Sequence, residues 1–120
     1  MGGVNDIAKK IPEEQTVINI IKITENLKQH QIIPVLQSVL YVADTYSDYQ
    51  KMNRNISSLN TELERAASEN DIRFVDLNQH LSSGKELITE YVLSDGIHLN
   101  GTGYKKWGTV LSGLIAGYGL

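Results

Sequence analysis

The run IIPVLQSVL, residues 32–40, decides how the rest of this 120-residue chain is read. It is almost unbroken apolar, too short for a typical helix and rich in β-branched residues. That pattern predicts a strand buried on both faces rather than an amphipathic element. Pro34 cannot donate to a ladder, so it belongs near the start of the strand or on an edge.

Upstream, Pro12-Glu13-Glu14 supplies a helix start, because Pro tolerates the first turn and acidic side chains favour the positive end of the dipole. Val17, Ile20, Ile21, Thr24 and Leu27 then recur at three- and four-residue steps up to His30, the stripe of a helix. Downstream, Tyr41 to Lys51 is polar with three tyrosines and reads as a loop; its tyrosines fit the wall of a pocket and cover for the core equally well. Met52, Ile56, Leu59, Leu63, Ala66 and Ala67 form the clearest helical stripe, broken at Asn70-Asp71. IRFVDL, residues 72–77, is a second short strand, and residues 78–94 are less regular. Tyr104, Trp107, Val110, Leu111, Leu114 and Ile115 mark a last helix, capped by Asn100 or Thr102, with Trp107 expected in the core.

Helix, strand, helix, strand, helix is the alternation of an α/β layered fold with parallel strands and right-handed crossovers. Two strands make a poor sheet. The opening GGV therefore reads as the tail of a third strand, and the chain as a single domain over 1–120 resembling the second half of a larger α/β unit. Removing the strands that flank residues 32–40 would leave an open edge, which predicts self-association.

Composition narrows the function. A net charge of −3 argues against nucleic acid, whose binders need a basic face. There is no cysteine, hence no disulfide frame or thiolate metal site. No apolar run approaches bilayer length, and no cationic stretch precedes an apolar core at the start, so the sequence does not specify a compartment.

Two polar, Gly-containing runs remain: MGGVNDI at the start and SDGIHLNGTGY before the last helix. In open α/β sheets, ligands bind beyond the carboxyl ends of the strands, where loops remote in sequence converge. Gly3-x-Asn5-Asp6 resembles the third conserved block of SGNH hydrolases, the GDSL esterases and acylhydrolases. Asp95-x-x-His98 resembles their fifth block, and a PVL-type strand, an FVDL-type strand and DGIHLN-x-x-GY follow in the family's order along essentially the whole chain.

The resemblance implies a flavodoxin-like, three-layer αβα fold with a parallel sheet, and ester hydrolysis by a serine nucleophile without metal or organic cofactor. It implies that His98 is the general base, Asp95 its orienting carboxylate and Asn5 an oxyanion donor, with Gly3 and Asp6 shaping the loop. The family's first two blocks, including Gly-Asp-Ser, have no counterpart here. Ser38 and Ser94 lack the strand-to-helix elbow that exposes a nucleophile, so the nucleophile is expected outside this chain and the chain alone is expected to be inactive. The implied substrate is a small ester, an acetylated or short-acyl carbohydrate or lipid. A non-catalytic α/β binding or assembly domain derived from the same fold is the alternative. An Asp/His pair three residues apart offers no evident third metal ligand, and His30 and His80 are expected at the surface.

Overall fold

The computed structural model describes residues 3–119. The chain divides into two compact units, Met1–Val39 with Arg54–Asp76, and Leu40–Asn53 with Leu77–Leu120.

The first unit opens with helix α1 (Val4–Ala8) and helix α2 (Glu13–Gln29), followed by strand β1 (Val35–Gln37), most of helix α3 (Tyr49–Glu69) and strand β2 (Arg73–Val75). β1 and β2 pair in parallel with Val35, Leu36 and Gln37 opposite Arg73, Phe74 and Val75. This is the βαβ order that the alternation predicts. Ile56, Leu59, Leu63, Ala66 and Ala67 are buried along one face of α3, as the stripe requires; each large aliphatic among them contributes about 1.5–3 kcal/mol relative to exposure. α2 and α3 end alike. Gln31 and Asp71 take left-handed conformations (φ 61° and 55°), and the next residues, Ile32 and Ile72, donate back to Leu27 O and Ala67 O. These bonds satisfy carbonyls that a helix end otherwise leaves open.

Two expectations change here. Gly2 lies outside the described residues. Gly3 is a bend and Val4 begins α1, so neither of these described residues is in a strand: Gly3 (φ 108°) turns the chain and its carbonyl accepts from Ile7 N at 3.0 Å. The strand expected over residues 32–40 is only three residues long. Ile32 and Ile33 are exposed, β1 is half-buried, and the buried Val39 has its N–H and C=O both bonded by an Asn side chain. Asn60 Oδ1 accepts from Val39 N at 2.7 Å and its Nδ2 donates to Val39 O at 2.8 Å. A side-chain amide presents an acceptor and donors side by side, so it can bond both backbone groups of Val39 as a neighbouring strand residue would.

The second unit holds the loop that follows β1, the first residues of α3, helix α4 (Asn78–Leu81), an antiparallel pair β3 (Ser82–Ser83) and β4 (Glu86–Leu87), a 3-10 turn (Thr89–Tyr91) and helix α5 (Gly101–Gly117). Val42, Ala43, Leu77, Leu81, Leu87 and Leu99 are among its buried hydrophobic residues. Asn100 caps α5, accepting from Gly103 N at 2.9 Å. Its amide also donates to Glu90 O and Val92 O, which ties the start of α5 to the segment before the DGIH run. Thr102 lies inside the helix. Gly103 is the buried residue of α5, and Trp107, expected in the core, is half-buried with its ring tilted 47° against exposed Tyr104 at 6.0 Å. The apolar stripe of α5 is wider than the face it packs. None of the described helices is long and apolar enough to cross a membrane.

Candidate active site

The DGIH run forms one closed turn in the second unit. Leu93 N donates to His98 O at 2.8 Å, Gly96 N donates to Leu93 O at 3.0 Å, and Val92 bridges Leu99. Inside that turn the Asp95 carboxylate is used three times. Oδ1 accepts from Ile97 N at 2.9 Å and from His98 N at 3.0 Å, and Oδ2 meets His98 Nδ1 at 2.5 Å. The carboxylate accepts only, so the proton of a neutral imidazole sits on Nδ1 and the lone pair is on Nε2. Nε2 makes no hydrogen bond among the described residues. The bond from the His98 ring, followed by those from the His98 and Ile97 backbone, holds the Asp95 carboxyl down to about 2, below its ordinary 3.8. Both side chains face solvent, His98 at 69% and Asp95 at 44% exposure, so their pairing adds little stability. What it fixes is the tautomer and direction of the ring.

Gly96 explains the dipeptide Asp95-Gly96. Its φ is 75°, and a Cβ there would stand 2.7 Å from Thr45 Oγ1 and 2.7 Å from Tyr46 N. Its carbonyl accepts from Ala43 N at 2.8 Å. The tyrosine loop is thereby bonded to the turn through Ala43, with Tyr46 close against Gly96.

Gly3, Asn5 and Asp6 belong to the first unit. Gly3 is buried, and a Cβ on it would lie 2.6 Å from Val39 Cγ2 and 3.5 Å from Leu59 Cδ2. Ile7, one turn on, lines a cavity of about 250 Å³ with Ile11, Thr16, Asn55 and Leu59. Asn5 is two residues from Ile7, roughly 200° around α1, and its exposed amide makes no hydrogen bond among the described residues. Asp6 lies in the first turn of α1, and neither α1 nor α2 has a side-chain cap bond. A larger cavity, about 490 Å³, opens between the ends of α2 and α3 at Lys28, Pro34, Asp71 and Arg73, beside the amino ends of the strands. Neither cavity is lined by the predicted site residues. Ser38 is buried, and Ser94 is exposed next to Asp95. His30 caps α2 with Nδ1 2.8 Å from Asn26 O, and it and His80 are exposed. Among the described residues, no cluster of three metal-ligating side chains occurs.

Sequence reasoning missed Asn53. It is 2% exposed on the buried face of α3 and accepts from Val42 N at 2.8 Å while donating to Val42 O and Lys85 O at 3.0 and 2.7 Å. Its signal was a polar residue seven positions before Asn60, one turn ahead of Ile56.

The profile of the GDSL-like Lipase/Acylhydrolase family matches residues 1–106. No match to a curated protein was found. Among solved structures, a GDSL-like lipase from Bacteroides thetaiotaomicron is 30% identical, superposes with a TM-score of 0.82, and aligns over 98% of this chain and 60% of its own. A candidate acylhydrolase from Bacteroides fragilis is 29% identical with a TM-score of 0.80, over 98% of this chain and 59% of its own. A candidate platelet activating factor from Streptococcus pneumonia is 26% identical with a TM-score of 0.81, over 93% and 56%. The chain thus spans about 60% of the length of the solved structures it matches, with their α/β fold. By the extent of the profile match, this chain belongs to the GDSL-like lipase/acylhydrolase family.

Proposed function

We propose that this chain is the base-bearing portion of a serine ester hydrolase that removes acetyl or short acyl groups from carbohydrate or lipid esters. The observation that carries the reading is the 2.5 Å contact of His98 Nδ1 with Asp95 Oδ2 on a turn that leaves Nε2 open. A serine on a segment outside these residues attacks the ester carbonyl, and its Oγ proton passes to His98 Nε2 as the new C–O bond forms. Asp95 keeps the ring in the accepting tautomer and stabilises the imidazolium. The Asn5 amide donates to the oxyanion, a contribution whose loss typically costs about 10²–10³-fold in rate. His98 then returns the proton to the departing alkoxide, and water releases the acyl group by the same steps in reverse roles. Gly3 and Asp6 shape the α1 turn that carries Asn5. None of these steps calls for a metal or an organic cofactor.

The test is hydrolysis of p-nitrophenyl acetate by this chain, by a version extended upstream, and by the His98→Ala variant of each. The extended protein is expected to turn over and to lose that turnover with His98, while the short chain is no faster than free imidazole. An extended protein no more active than the short one overturns the reading, and His98-dependent turnover by the short chain overturns the assignment of the nucleophile elsewhere.

Self-association is part of the same proposal. The chain spans about 60% of the length of solved structures that share its α/β fold, and a sheet edge completed by another segment in a longer chain can pair with a second copy instead. A compact monomer in sedimentation at micromolar concentration counts against it.

A further inference from the structure

The Asp95–His98 pair stands in water, yet the turn that carries it is tied to a buried amide. Asn53 grips Val42 by both its N–H and its C=O and also holds Lys85 O, and Val42 O accepts a further bond from Leu87 N at 3.2 Å. The next residue, Ala43, is fully buried and donates its N–H to Gly96 O, inside the DGIH turn. Gly96 has no room for a side chain at the Thr45–Tyr46 corner. One short run of backbone therefore connects the interior of the second unit to the turn on which the carboxylate and the imidazole meet. A solvent-exposed pair has little energy of its own with which to hold a geometry; a satisfied buried amide has much more, because releasing it leaves several polar groups without partners.

We propose that Asn53 is a positioning residue for the Asp95–His98 pair, acting through Val42, Ala43 and Gly96. Only an amide serves: a carboxylate accepts from Val42 N but cannot donate to Val42 O or Lys85 O, and an aliphatic side chain does neither. The catalytic meaning of this rests on reading His98 as the base, but the geometry itself is read without turnover.

The experiment compares Asn53→Asp with Asn60→Asp in the full chain. Asn60 makes the same two-bond grip on Val39 seven residues further along α3, and Val39 belongs to the first unit while the DGIH turn belongs to the second, so this variant controls for the loss of a helix amide as such. The readouts are the low-field Nδ1 proton of His98, the titration midpoint of the Asp95 carboxyl, and amide exchange at Ala43 and His98. In Asn53→Asp the Nδ1 proton is expected to broaden into exchange, the midpoint to move up toward the ordinary carboxylate value, and Ala43 exchange to quicken at least about tenfold, the loss of roughly one hydrogen bond. In Asn60→Asp all three stay as in the parent. A folded Asn53→Asp with the parent's readouts overturns the proposal, as does an equal response in Asn60→Asp. If Asn53→Asp does not fold, the unmutated chain decides: Ala43 N–H exchanging as fast as an exposed loop amide overturns the tether, and protection as strong as that of Val42 supports it. An intact pair without ester turnover in the extended protein would count against the hydrolase reading and leave this one standing.

Discussion

Replacing Gly3 with alanine probes why a glycine precedes helix α1. Two costs follow from the coordinates. The backbone sits at φ 108°, ψ −47°, a region open to glycine and closed to residues with a Cβ, and holding alanine there costs about 1–3 kcal/mol. The new Cβ would lie 2.6 Å from Val39 Cγ2. Val39 cannot retreat, because Asn60 holds its N–H and C=O and it is buried; turning its side chain off a rotamer costs a further ~0.5–1.5 kcal/mol. The expected destabilisation is about 2–4 kcal/mol, or roughly 8–16 °C in Tm for a chain of this length. Thermal and denaturant melts followed by far-UV circular dichroism and by the fluorescence of Trp107, the sole tryptophan, read it directly. The double variant Gly3→Ala/Val39→Ala relieves the clash but not the backbone cost, so the two substitutions should couple by about 1 kcal/mol. A Gly3→Ala chain within about 0.5 kcal/mol of the parent, a change typical of featureless surface sites, refutes the reasoning.

Three further outcomes follow from the same structure. Asp95→Asn keeps an acceptor for the Ile97 and His98 amides but turns an NH₂ toward Nδ1, so the imidazole proton moves to Nε2; ¹⁵N shifts of the ring report the reversal, and unchanged shifts contradict the assigned tautomer. Asp95 titrates near 2 in the folded chain, below 3.8, so its contribution to stability is complete above pH 3.8 and is lost as the pH falls toward 2; carboxyl ¹³C titration should show the midpoint rising in His98→Ala, where the largest cause is gone. Gly113→Ala should stabilise α5 by about 1 kcal/mol, because a Cβ there meets nothing within 4 Å; a lower melting temperature would show that the position has a use for its missing side chain.

Helix α3 was legible because burial repeats every three to four residues along it, and Ile56, Leu59 and Leu63 are as buried as their spacing demands. The pairing of Asp95 with His98 was legible through the resemblance of Asp95-x-x-His98 to the family's fifth block, and the structure shows both partners within one turn. The strand over residues 32–40 was over-read because hydrophobicity reports burial and not the partner of the backbone; Val39 is buried against an Asn side chain. Gly3 was read as part of a strand because nothing in the residue type distinguishes a glycine in a strand from one at φ 108°. Trp107 was placed too deep because an apolar stripe marks the width a helix can bury, while packing at Gly103 sets what α5 does bury. Asn53 was invisible because its partners, Val42 and Lys85, are 11 and 32 residues away, and a single polar residue within a stripe carries no address.

The exposure of the pair has a consequence for how it can work. A carboxylate 2.5 Å from an imidazole that is 69% open to water is screened at the moment when the ring takes up charge, and preorganised groups aid a reaction most where water is excluded. The hydrolase reading therefore requires that the ester and the segment carrying the serine cover the His98 ring. Covering leaves Nδ1 in its bond to Asp95 and closes the route by which its proton exchanges with solvent. The extended protein should thus show a slower-exchanging Nδ1 proton than the short chain, and slower still when an unreactive ester analogue is bound. If exchange is equally fast in all three, the ring remains in open water throughout, and orientation alone would have to supply what charge stabilisation in a dry site normally does.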